Sequence, residues 1–138
     1  MWGLVGDPAR IPEWWPGIDR ATVEGATRVV TTGAGLEIHE DIVTLDDIER
    51  RFQYRIAGPM VREHLSTLDV LDLGDGTCLV VYSADAEPAT MALVIAGAAG
   101  NALDHLPDVL ARKATEDARE GPAAGAATEG ATTEKETS

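Results

Sequence analysis

The chain has 138 residues, a formal net charge of −13 and 44% hydrophobic residues, which suits one domain with a single compact core. The excess of acidic residues argues against nucleic acid as a partner, because eleven Lys and Arg among 24 Asp and Glu seldom form a basic face. The apolar segment at residues 91–99 is too short to cross a bilayer, and Met1 is not followed by a basic start and a long apolar stretch. We therefore expect a cytoplasmic protein without stable membrane insertion.

The segment at residues 6–18, GDPARIPEWWPGI, predicts two very short helices bounded by prolines. Asp7 is placed to cap the first helix, with a proline at its first position, and Pro12 opens a second turn that carries Trp14 and Trp15. Rings of this size on a short turn cover a surface, which is either a core or the mouth of a cavity. Both interpretations of Trp14 and Trp15, packing and ligand contact, remain open on the sequence alone.

An alternating pattern then predicts five strands joined by short turns, at residues 20–32, 36–45, 49–57, 62–73 and 77–87. After Pro88 the pattern becomes helical, and Pro107 should kink or divide that helix. Short links imply an antiparallel meander, so the fold class is α+β, a curved sheet holding a C-terminal helix. The domain spans residues 1–118, and residues 119–138, rich in Ala, Gly, Thr and Glu, are expected to be a disordered tail.

Glu40 is the exceptional residue of its strand, because it shares a face with Ile38 and Ile42. A buried carboxylate needs a partner, or desolvation raises its pKa and makes it a proton donor or acceptor near neutral pH. A solvated glutamate at the rim of the sheet is the alternative. His64 and Ser66 lie two residues apart and project together, as either structural groups or a polar patch suited to orienting a ligand or transferring a proton.

Two further candidates come from the alternation of the other strands. Tyr54 lies on an apolar strand face, where it is either a core residue or a phenol offered to a cavity. On the last strand the phase is ambiguous, since either Tyr82 or the set that includes Ser83 and Asp85 could face inward; we predict Asp85. The three histidines are too far apart in sequence to suggest a metal motif, and the glycine pairs do not form a nucleotide loop, so we expect no metal and no cofactor.

Taken in order, these motifs resemble the polyketide cyclase/dehydrase branch of the START-like (SRPBCC) superfamily. The resemblance covers about residues 2–118 and rests on residues 2–7, 11–18, 40–46, 51–58 and 66–70. It implies a helix-grip fold with a cavity between sheet and helix, and it places Glu40 facing that cavity. Members of the superfamily begin with a strand before the first helix, and the resemblance implies that this strand is missing here. An unpaired edge of this kind favours strand exchange with a second copy, which would give a homodimer.

Two functions from different classes follow from this resemblance. One is a cyclase or dehydrase, in which Glu40 or His64 moves protons while Tyr54 and Ser66 orient the carbonyls of a polyketide-like substrate. The other is a non-catalytic carrier of a lipid or other hydrophobic small molecule. An interaction module similar to the co-chaperones of this superfamily is a third, although the sequence shows no apolar patch for a partner. The sequence does not decide between an enzyme and a carrier.

Overall fold

The computed structural model describes residues 1–121, in which six antiparallel strands form one curved sheet. Their order in the sheet is their order in the chain, as expected for a meander. The strands are β1 (Ile18–Glu24), β2 (Thr27–Thr32), β3 (Glu37–Asp46), β4 (Arg51–Ala57), β5 (Glu63–Asp72) and β6 (Cys78–Glu87). The predicted α+β class and meander are confirmed.

The prediction of one strand over residues 20–32 was wrong, because a tight turn divides this segment into β1 and β2. Glu24 pairs with Thr27 in the antiparallel register, which leaves Gly25 and Ala26 as the turn. Gly25 has φ of 57°, a left-handed conformation that glycine adopts without steric cost. The alternation of apolar residues continues on both sides of the turn and conceals it in the sequence. This hairpin pairs β2 with β1, and β2 lies between β1 and β3 in the sheet.

Two short helices precede the sheet, as predicted, but with different bounds. Helix α1 spans Trp2–Val5, and a 3-10 helix spans Pro8–Glu13. The Asp7 carboxylate accepts a hydrogen bond of 3.0 Å from the backbone N–H of Ala9, which confirms the predicted cap. Pro12 lies inside the 3-10 helix and does not open another one. The chain leaves this helix directly into Trp14 and Trp15, so their position is fixed by the proline-bounded turn.

Helix α2 (Ala89–Arg119) packs chiefly against β6 and covers one face of the sheet. Its buried side chains are Ala99, Ala102, Leu106 and Val109, at the spacing of one helical face. Pro107 does not divide this helix, whose buried stripe continues on both sides of it. Within residues 1–121, the structure contains no helix that is both long and apolar enough to span a membrane. The helix includes Arg119, and residues 122–138 of the predicted tail lie outside the described part of the chain.

Candidate functional site

The sheet face that packs against α2, the concave face, carries an unusual set of polar side chains. Along β5, alternate residues point to this face, so His64 and Ser66 lie on the same side as the core residues Leu68 and Val70. The polar side chains of the concave face come from five strands and are Arg28, Glu40, Tyr54, His64, Ser66 and Tyr82. Four of the six come from the sequence-based candidates, which the fold therefore brings together on one surface.

Arg28 and Glu40 form a buried ion pair across β2 and β3. The side chains are opposite each other in the register, and the residues are 2% and 4% exposed. Arg28 Nε donates to Glu40 Oε2 at 2.5 Å, and Arg28 Nη1 donates to the carbonyl oxygen of Pro8 at 3.2 Å. Burial raises the pKa of Glu40, and the charge and hydrogen bond of Arg28 partly oppose that rise. Glu40 thus faces inward, with Arg28 as its partner.

Aromatic rings enclose the guanidinium of this pair. The Arg28 Cζ atom lies 4.8 Å from the ring centre of Tyr54 and 5.1 Å from that of Phe52, within cation–π range. Sequence reasoning missed Arg28. Its position opposite Glu40 is set by the loop at residues 32–36, which joins β2 to β3 and fixes their register.

A chain of hydrogen bonds joins the other polar residues of the concave face. The backbone N–H of Ile56 donates to His64 Nδ1 at 2.8 Å, so the proton of the neutral ring is on Nε2, which donates to Ser66 Oγ at 2.7 Å. The Tyr82 hydroxyl also donates to Ser66 Oγ, at 2.7 Å. Because Tyr82 has one proton to give, Tyr54 must donate in the 2.6 Å bond between the two phenols. The donors of His64, Tyr82 and Tyr54 therefore all point towards Ser66.

Each titratable residue of this hydrogen-bonded chain is held in its neutral form. Burial raises the pKa of Tyr54 well above its ordinary value, and burial also raises the pKa of Tyr82. The pKa of His64 is lowered by burial, which disfavours the imidazolium. A protonated His64 would in addition lose the bond from Ile56, because Nδ1 would then carry a hydrogen.

This arrangement predicts a specific acid sensitivity of folding. His64 has a lower pKa in the folded state than in the unfolded state, so its contribution is complete above the ordinary histidine pKa and is lost as pH falls towards the folded-state pKa. We expect the free energy of unfolding to fall between about pH 7.5 and about pH 5.5, by at most about 1.4 kcal/mol per pH unit for one proton, and to fall less in a His64→Gln variant. Urea denaturation at each pH measures both, and His39→Gln, at an exposed position of β3, is the control. Equal losses in the parent and His64→Gln would contradict the assignment.

The two tryptophans close the concave face over these residues. Trp14 is 5% exposed and Trp15 half-buried, and their rings meet edge to face at 5.4 Å. The Trp15 ring also contacts that of Tyr82 at 5.8 Å. Beneath them lies a cavity of about 10 Å³. It is lined by Ile11, Trp14, Trp15, Arg28, Phe52, Tyr54, Leu68 and Tyr82. Trp14 and Trp15 thus both pack against the core and border a cavity.

At the other end of the hydrogen-bonded chain, His64 borders an open groove of about 680 Å³. The groove is lined by Arg55, Ile56, Arg62, Glu63, His64, Leu65, Asp85, Ala86 and Glu87. On β6, the residues opposite Ser66 and His64 are Ala84 and Ala86, whose small side chains leave room beside the polar groups. The hydrogen-bonded chain from His64 to Tyr54 therefore links a wide external groove to a small internal cavity.

The prediction that Asp85 faces inward was wrong, and Tyr82 takes the inward place. In the β5–β6 register, Tyr82 lies opposite Leu68 while Asp85 lies opposite Leu65, so the two residues project from opposite faces of the sheet. Asp85 is exposed and lines the groove from the opposite face of the sheet to His64. Tyr82 was recognised in the sequence as the alternative, but the strand carries apolar residues on both faces, so its phase could not be decided.

The concave face is built for hydrogen bonding. Its carboxylate, Glu40, uses one oxygen to bind Arg28, and both ring nitrogens of His64 are engaged. Within residues 1–121 no three His, Cys, Asp or Glu side chains are grouped so that they could hold a metal ion. The arrangement can orient polar atoms of a molecule that is otherwise apolar.

An antiparallel sheet closed by a long C-terminal helix, with a polar site enclosed between them, is the architecture of the START-like proteins. The profile of the family described as polyketide cyclase/dehydrase and lipid transport matches residues 1–127, and the chain belongs to this family. A comparison with curated proteins gives no match.

Solved structures support the same fold. The protein XoxI from Bacillus cereus is 26% identical, with a TM-score of 0.70 over 76% of this chain and 81% of its own. A protein from Bacillus thuringiensis is 23% identical, with a TM-score of 0.68 over 76% and 84%. A START superfamily protein from Mycobacterium smegmatis is 16% identical, with a TM-score of 0.60 over 83% and 87%. These structures confirm the predicted fold, and the family profile confirms the predicted superfamily.

Proposed function

We propose that this protein binds a small hydrophobic molecule between the concave face and the elements that cover it, as a binding or carrier protein. One observation carries the proposal: the hydrogen-bonded chain runs from His64 at the open groove to Tyr54 and Tyr82 at the internal cavity. A ligand that enters at the groove would follow these polar groups, with apolar residues on both sides. Ligand sites commonly combine an apolar lining with a few fixed polar groups.

Binding without chemistry agrees best with the state of the two candidate catalytic residues. A general base needs a free lone pair near the proton that it removes. In His64 the Nδ1 lone pair accepts from Ile56, and Nε2 carries the proton donated to Ser66. Glu40 binds Arg28 through Oε2, is 4% exposed and lines neither the groove nor the cavity. In this proposal His64 is a polar part of the binding surface, and Glu40 holds Arg28 in place.

Filling the groove tests the proposal. The probe is 1-N-phenylnaphthylamine, a neutral dye whose fluorescence increases in apolar surroundings. We expect saturable binding to the parent protein and at least about tenfold weaker binding to Ala86→Phe, since the new ring occupies space beside His64. Ala57→Phe adds the same ring at an exposed position near the end of β4 and serves as the matched control. Equal affinity in both variants would contradict binding through this groove.

A cyclase or dehydrase is the second candidate, favoured by the raised pKa of the buried Glu40. In this case Glu40 or His64 would transfer protons, and Tyr54 and Ser66 would orient carbonyls. Heptane-2,4,6-trione is a suitable probe, because aldol closure between its first and sixth carbons with loss of one water gives orcinol. Enzyme-dependent orcinol formation that stops in Glu40→Gln, while dye binding persists, would replace the carrier proposal by the catalytic one.

A further inference from the structure

Two buried N–H donors at the internal cavity have no acceptor. Arg28 Nη2 and Trp14 Nε1 are both inaccessible to solvent and find no hydrogen-bond partner among the residues that the structure describes. Both side chains line the cavity of about 10 Å³ beneath the tryptophans. A buried donor without a partner costs about 1–3 kcal/mol, and more when it is charged, so such donors normally have a water or ligand acceptor.

The cavity is suited to one oxygen atom. Its volume is close to the smallest that can hold a water molecule. The phenols that line it cannot act as further donors, because Tyr54 gives its proton to Tyr82 and Tyr82 gives its proton to Ser66. The free donors identified at this point are thus the indole of Trp14 and the guanidinium of Arg28.

The charge balance of the site indicates what kind of oxygen fits. Arg28 is already neutralised by Glu40, whose Oε2 lies 2.5 Å from Arg28 Nε. A ligand carboxylate would add a second negative charge next to Glu40 in a buried site, and an uncompensated buried charge is costly. A neutral carbonyl oxygen accepts two hydrogen bonds without this penalty.

We propose that Arg28 Nη2 and Trp14 Nε1 together hold a neutral carbonyl oxygen of the bound ligand, such as a ketone or an ester provides. This inference rests on the proposed binding function and specifies the class of ligand. The carbonyl takes the place of a water in the cavity, and the apolar body of the ligand lies against Ile11, Phe52 and Leu68. Because the cavity of about 10 Å³ holds no more than one small group, this proposal requires the turn carrying Trp14 to move outward when the ligand binds.

Matched probes test this inference by isothermal titration calorimetry. 2-Acetylnaphthalene carries a carbonyl, 2-isopropenylnaphthalene replaces its oxygen by a methylene group, and 2-naphthoate carries a carboxylate. We expect the ketone to bind the parent protein about tenfold more tightly than the hydrocarbon, a factor of about three for each of the two hydrogen bonds. The carboxylate should bind more weakly than the ketone.

Two conservative variants identify the donors. Trp14→Phe keeps a ring but removes the N–H, and Arg28→Lys keeps the charge that pairs with Glu40 but removes Nη2. Each should reduce the preference for the ketone to threefold or less, on the order of the loss of one of two donors. Trp2→Phe removes an indole N–H that binds Asp47 away from the cavity and the groove, and it should retain the full preference. Having two variants keeps the test valid if one of them does not fold.

The outcomes separate this inference from the proposal on which it rests. Equal binding of ketone and hydrocarbon to the parent protein, or an unchanged preference in both donor variants, would overturn the carbonyl site while leaving ligand binding intact. Tighter binding of the carboxylate would overturn the neutral character of the site. If none of the naphthalenes binds and the dye titration is also negative, the binding function itself is contradicted.

Discussion

Replacement of Arg28 by methionine is expected to lower the free energy of unfolding by about 3–5 kcal/mol, the range found when one partner of a buried ion pair is removed. The cause is the Glu40 carboxylate, which remains 4% exposed but loses both the charge and the hydrogen bond that compensate its burial. Methionine retains much of the arginine volume, so the loss is chiefly electrostatic. Urea denaturation near neutral pH measures it.

Two controls show whether the pair itself is responsible. Arg28→Met combined with Glu40→Leu removes both charges, and we expect the double variant to be more stable than Arg28→Met alone. Arg51→Met breaks the partly exposed ion pair with Asp69 and should cost much less than Arg28→Met. A loss in Arg28→Met no greater than that in Arg51→Met would show that the buried pair does not have the assigned role.

Replacement of Ser66 by alanine is expected to have the second largest effect, a loss of about 2–5 kcal/mol in the free energy of unfolding. Ser66 is 0% exposed and accepts hydrogen bonds from both His64 and Tyr82. Alanine leaves two buried donors without an acceptor, each at a cost of about 1–3 kcal/mol. Urea denaturation measures this loss, and thermal denaturation should rank Ser66→Ala in the same order relative to its control variants.

The direction of the hydrogen-bonded chain gives this prediction a sharp control. Tyr54 is the terminal donor, so Tyr54→Phe removes one hydrogen bond without leaving a donor unpaired in the chain. Its cost should be about 1 kcal/mol, and Ser83→Ala, at an exposed position of β6, should be within about 0.5 kcal/mol of the parent. If Tyr54→Phe is as damaging as Ser66→Ala, the donors do not converge on Ser66.

The inward positions of Glu40, Tyr54, His64 and Ser66 could be predicted because their strands alternate clearly. In β3 and β5 the polar exceptions stand among apolar residues of one phase, and the pleat places every second residue on the same face. In β6 the outward residues Leu79 and Val81 are as apolar as the inward Val80. Hydrophobicity therefore does not show which residues of this strand face inward. The choice between Tyr82 and Asp85 is made by the register with β5, which the sequence does not display.

Arg28 shows why pairing partners are harder to predict than faces. Its contact with Glu40 depends on how β2 and β3 align, and that alignment is set by the loop at residues 32–36. The sequence indicates this loop through Gly33 and Gly35 but does not show how many of its residues leave the ladder, and a change of one residue there would place a different residue opposite Glu40. The two donors without a partner at the cavity are harder still to predict from the sequence, because they depend on the packing of Trp14 over Arg28.

Native mass spectrometry of the protein purified from cells tests the central claim most directly. The account predicts that the protein retains a bound small molecule, and that extraction releases an apolar ketone or ester. Loss of this adduct in Ala86→Phe, but not in Ala57→Phe, would place the molecule beside His64. A protein that emerges without any adduct and that also fails to bind 1-N-phenylnaphthylamine would contradict the assignment of the concave face as a ligand site.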